Sequence, residues 1–109
     1  MLEIKVHLNS PVEKILDFKC CHMLNQNLEI LVRNRGEKTV RVSSACELVG
    51  PSGRLRLECL FPPGGHVIPP GEIVAFYGSF PESLFDPYES VVFRDAEGGE
   101  HWAPLRPDR

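Results

Sequence analysis

Prolines and glycines cut this chain into pieces that suit strands far better than helices. Beyond residue 28 a turn signal recurs about every ten residues: Asn34, Arg35 and Gly36; Gly50, Pro51, Ser52 and Gly53; Pro62 to Gly65; Pro69, Pro70 and Gly71; Gly98 and Gly99. Proline lacks a backbone donor and fixes φ, while glycine admits left-handed angles, so each cluster ends regular structure and turns the chain. With nine glycines and ten prolines in 109 residues, little room is left for helices of ordinary length.

Between the turns the apolar residues recur with the period of a strand that buries one face. Leu2, Ile4, Val6 and Leu8 alternate with Glu3, Lys5, His7 and Asn9, and Leu28, Ile30 and Val32 alternate with Glu29, Leu31 and Arg33. Val40, Val42, Ser44, Cys46 and Leu48 share a face and predict one long strand to Val49, followed by a strand carrying Leu55, Leu57, Cys59 and Phe61. Val67 to Glu72 reads as a connection. Ile73 to Phe80 is apolar on both faces, the pattern of a central strand, and a helical turn is expected within Ser79 to Asp86. Ser90 to Arg94 and a short segment with His101 and Trp102 supply the last two strands, Trp102 and Tyr77 are expected in the core, and the tail from about residue 104 is expected to be loose. Val12, Ile15, Leu16 and Phe18 fit either a kinked strand or a helical turn.

About seven short strands and no amphipathic helix predict an all-β, two-sheet antiparallel sandwich, with residues 1–109 as a single domain. Val32 to Gly36, the hairpin with Gly53, Ile68 to Glu72 and Val91 to Asp95 together resemble the layout of bacterial immunoglobulin-like modules. These include cell-adhesion-related repeats and the intracellular proteinase-inhibitor domain. The resemblance spans roughly residues 28 to 102 and consists of turn chemistry, so it implies a fold and says little about activity.

Net charge of −3 argues against general nucleic-acid binding, which depends on clustered positive charge. The charge is uneven. Residues 1–60 carry nine Lys or Arg against seven acids, and residues 61–109 three against eight. Such a gradient could steer a charged partner or favour head-to-tail association, although solvated surface charge is the plainer explanation. No apolar run is long enough for a membrane-spanning helix, and the N-terminus has no basic start followed by an apolar stretch, so neither membrane insertion nor secretion is expected and a cytoplasmic location is.

Four cysteines and four histidines raise a Cys/His metal site, but the spacing is poor for one. Cys20 and Cys21 are adjacent and in a strand would face opposite ways, while Cys46, Cys59, His66 and His101 are scattered. In the hairpin, a loop of Ser52 and Gly53 sets Cys46 opposite Cys59, whereas a loop from Gly50 to Gly53 sets it opposite Leu57. Both registers stay open, and reduced thiols are expected in either. No phosphate loop, nucleophile elbow or zinc-protease pattern is present, so neither an enzyme nor a cofactor is expected.

Two features suit a partner surface. Arg33, Arg35, Lys38 and Arg41 cluster around the first turn, with Arg54 and Arg56 placed to share a sheet face with Arg41. The loop from Phe61 to His66 is rigid and carries an aromatic anchor. These residues point to a non-enzymatic protein-binding or assembly module contacting a protein partner or a second copy of itself. A proteinase inhibitor acting through the 61–66 loop is the alternative, and a Cys/His metal-binding protein the last.

Overall fold

A computed structural model describes residues 2–8, 28–58, 60–80 and 82–106. Among these residues the regular structure is nine strands and one short 3-10 turn: β1 (Leu2–Leu8), β2 (Leu28–Asn34), β3 (Val40–Ser43), β4 (Cys46–Gly50), β5 (Gly53–Leu57), β6 (Gly65–Ile68), β7 (Ile73–Gly78), the turn Glu82–Phe85, β8 (Ser90–Arg94) and β9 (Glu100–Pro104). Every pairing is antiparallel. The strands form a three-stranded sheet in the order β1-β2-β7, a four-stranded sheet in the order β5-β4-β8-β9, and a two-stranded ribbon of β3 and β6. Among the described residues no helix is long and apolar enough to cross a membrane.

The fold is an all-β antiparallel sandwich, and the two larger sheets meet through the alternating residues. Ile4, Val6, Ile30, Val32 and Phe76 from the first sheet and Leu48, Leu57, Val91, Phe93 and Ala103 from the second belong to one buried cluster. Phe76 on β7 lies against Phe93 on β8 with ring centroids 5.4 Å apart, a direct contact from one sheet to the other. Burying a side chain of this size contributes about 1.5–3 kcal/mol, so the period of two, repeated through β1 and β2, is what selects this arrangement.

Four expectations are corrected. The long strand over residues 40–49 is split at Ser44 and Ala45 into β3, which pairs with β6, and β4, which pairs with β5 and β8. Ser44 donates its N–H to the Gly64 carbonyl at 3.0 Å, so the chain changes partner without changing which residues point inward. The turn expected to close at Gly65 and the connection expected over Val67 to Glu72 instead contain the strand β6, which together with the split raises the count among the described residues to nine. Strand β7 is not central: it ladders with β2 on one side and on the other makes a single bridge from Tyr77 to Phe61. The tail is fastened as far as Arg106. Leu105 is fully buried and donates its N–H to the Glu89 carbonyl, and the Arg106 guanidinium donates to the carbonyls of Tyr88 and Phe85, both at 2.7 Å. The hairpin adopts the second of its two registers, with Gly50 opposite Gly53 and Cys46 opposite Leu57. The expected kinked strand or helical turn over residues 12–18, together with Cys20, Cys21, His22 and Cys59, lies outside the described residues.

Candidate functional site: the outer face of the four-stranded sheet

The inward residues of β4, β5, β8 and β9 leave their neighbours on the opposite face. Cross-strand registry sets Arg56, Glu47, Val92 and Trp102 in one row and Arg54, Val49, Ser90 and Pro104 in the next, with Arg94 opposite Glu100 beyond the first row. Four of these side chains close a ring of charge. Arg54 Nη1 lies 3.1 Å from Glu47 Oε1 and 3.4 Å from Glu100 Oε2, and Arg94 Nη2 reaches the same two oxygens at 3.3 and 2.8 Å. Each arginine therefore touches both glutamates, and the ring is neutral.

An aromatic plate adjoins it. Trp102 is 50% exposed, its indole N–H donates to Glu100 Oε1 at 3.3 Å, and the Arg54 guanidinium sits 5.3 Å from its ring centroid. Beneath them Val92 faces outward yet is only 1% exposed, and it is not part of the cluster between the sheets. The polar groups thus form a fixed cover over an apolar spot. The hydrogen bond it donates to Glu47 is the largest influence holding the Arg54 guanidinium above its usual range, against a smaller loss from desolvation. At Glu100 desolvation works upward, but hydrogen bonds from Trp102 and Arg54 and the charges of Arg54 and Arg94 outweigh it and hold the carboxyl below its ordinary value.

Beside Val92 the sheet opens into a cleft of about 370 Å³ where β3 parts from β4. Val42, Cys46 and Val92 supply buried apolar lining, and Arg41, Arg56 and Arg94 are exposed residues along it. At the far side Asp95 bridges to Val42, and Ala96 donates its N–H to the Arg41 carbonyl at 2.9 Å. Asp95 is itself pinned: Oδ2 accepts from His101 Nε2 at 2.8 Å, and Oδ1 accepts from the backbone N–H groups of Glu97 and Gly99, both at 2.9 Å. The His101 hydrogen bond, against a smaller opposing effect of burial and with help from the two N–H groups, holds the Asp95 carboxyl below its ordinary range.

Of the residues singled out in the sequence, Arg41, Arg54 and Arg56 come together along this face and cleft. The rest do not. Arg33 and Arg35 border a separate groove at the end of β2, where Arg35 pairs with Glu3 at 3.3 Å, and Lys38 lies on another hollow with Arg41. Arg56 is paired with Glu58 at 2.6 Å. The loop after β5 is bound to the body: Phe61 exchanges two backbone hydrogen bonds with Tyr77, at 2.8 and 2.7 Å. His66 belongs to β6, stands edge-on to Phe76 at 5.1 Å and donates Nε2–H to the Pro62 carbonyl at 3.0 Å, so its ring serves the core more than a partner.

Trp102, expected in the core, instead lies half-exposed on this face, and Glu47, Arg94 and Glu100 were not singled out in the sequence. Trp102 and Ala103 are adjacent in a strand, so one of them must face out, and Ala103 shares the buried parity of Leu105. That signal was present. The ring depends on β4 lying beside β8, a pairing between segments some forty residues apart that no local pattern reports. Among the described residues no group of three or more His, Cys, Asp or Glu is placed to hold a metal ion. Comparisons with protein-family models, with curated proteins and with solved structures give no match for this chain.

Proposed function

We propose that this domain is a protein-binding module and that its contact surface is the outer face of β5-β4-β8-β9. The observation that carries this is Trp102, half-exposed beside a ring of two arginines and two glutamates already locked in place. Tryptophan and arginine are the residues most enriched where binding energy concentrates, and groups held before contact lose less conformational freedom on docking. The ring's carboxylates are each matched by arginines, an arrangement that supports recognition rather than proton transfer. Two sheets packed face to face, one with an exposed outer face, also support the immunoglobulin-like reading of the fold.

The full chain used as bait tests this against its host extract. A partner retained by the wild type and by Glu37→Gln, but lost with the pair Trp102→Ala and Arg54→Ala, is the expected result. Equal retention by the double variant, with an unchanged circular dichroism spectrum, removes the assignment. Recovery of tagged and untagged copies of the chain alone identifies the partner as a second copy.

A further inference from the structure

The cleft beside Val92 combines an apolar interior with an imbalance of charge. Its lining includes three arginines, at 41, 56 and 94, against two acids, Glu47 and Asp95. Four of these five are already satisfied. Arg56 is held by Glu58, Arg94 and Glu47 belong to the ring, and Asp95 accepts from His101 and two backbone N–H groups. Arg41 is the exception, exposed and in no ion pair with a described residue.

We propose that this cleft receives an acidic segment of the partner polypeptide, an apolar side chain entering over Val42, Cys46 and Val92 while a neighbouring carboxylate pairs with Arg41. The inference rests on the contact face proposed above and adds the chemistry of what it accepts. A volume of about 370 Å³ is at the small end of ligand pockets and suits one or two side chains. An apolar group gains by leaving water there, and a guanidinium prefers a carboxylate because the pair forms charge-assisted hydrogen bonds. A basic or neutral segment would leave the Arg41 charge uncompensated. The cleft also abuts the Trp102 row through Val92 and Glu47, so a strand-length segment can cover both.

The probes are two blocked tetrapeptides, acetyl-Ser-Leu-Glu-Ser-amide and its Leu-Gln counterpart, titrated at millimolar concentration into the ¹⁵N-labelled full chain. The Leu-Glu peptide is expected to shift the amide signals of Val42, Cys46, Val92 and Ala96 and to bind about three- to tenfold more tightly than Leu-Gln, the effect of one charge-assisted hydrogen bond near the surface. Arg41→Gln should abolish that difference, Arg33→Gln should preserve it, and replacing Leu by Ala in the peptide should weaken binding. Equal affinity for the two peptides, shifts confined to other parts of the chain, or an equal loss in Arg33→Gln overturns the inference. If the bait experiment still loses its partner with Trp102→Ala and Arg54→Ala, the contact face stands and only its acidic specificity falls.

Discussion

The side-chain amide of Asn34 donates to the main-chain carbonyl of Ile68 at 2.8 Å, joining the end of β2 to the end of β6 across thirty-four residues of chain. The same nitrogen donates to the Lys38 carbonyl at 2.7 Å, and Oδ1 accepts from the Gly36 N–H at 2.9 Å. Its main chain is equally engaged, receiving the Gly71 N–H at 2.7 Å and donating to the Glu72 carbonyl at 3.0 Å. A fully buried amide thus closes two turns at once.

Asn34→Ala removes both side-chain donors and leaves the Ile68 carbonyl buried without that partner. Loss of such a buried network costs roughly 2–4 kcal/mol. Urea unfolding followed by tryptophan fluorescence measures it. A loss within experimental error would show that the turns hold without the amide.

Gly50→Ala is expected to destabilise by about 1–3 kcal/mol through overpacking, although the site is the end of a strand where alanine is ordinarily tolerated. A Cβ at Gly50 would run into the Pro87 carbonyl and approach the Tyr88 Cα at 3.1 Å, and that segment is held close by the hydrogen bond from Glu89 N–H to the Val49 carbonyl at 2.8 Å. Thermal unfolding of Gly50→Ala against wild type checks it.

Leu105→Ala should cost about 2–4 kcal/mol, the usual range for emptying a fully buried leucine site. Chemical denaturation of this variant separates a fastened C-terminal segment from a loose one, which would tolerate the change.

Asp95 carries a pH signature. Its carboxyl is held below its ordinary value of 3.8 in the folded chain, so the native state favours the charged form. Stabilisation from that preference is fully present above the unfolded value and is lost as pH falls through the folded one. The part of the stability gap between wild type and Asp95→Asn that comes from this preference should therefore narrow as pH falls from about 5 to about 3. Denaturation midpoints of both proteins across that range measure it, and a gap independent of pH would remove the Asp95 contribution.

The strands that bury one face were legible because packing and local alternation report the same thing. Leu2 to Leu8 and Leu28 to Asn34 fall where the period of two puts them. The break between β3 and β4 was hidden because Val42, Ser44, Cys46 and Leu48 stay buried through it, so the alternation continues while the pairing partner changes. Asn34 looked like a turn residue since its side chain does cap a turn at Gly36. Its two donors go to carbonyls set by the tertiary fold, and local sequence carries no trace of them. Of the site, the arginines at 41, 54 and 56 stood out as charge, but their roles differ: Arg54 is neutralised in the ring, Arg56 is paired with Glu58, and Arg41 is in neither arrangement.

Site-specific photo-crosslinking in host extract tests the contact surface most directly. A crosslinker placed at position 56 or 102 samples the outer face of the four-stranded sheet, and one at position 31 samples the outer face of β1-β2-β7. A discrete adduct is expected from 56 and 102, competed away by unlabelled wild type and not by the Trp102→Ala, Arg54→Ala pair, with none from 31. An adduct from 31 with none from 56 or 102 would contradict it.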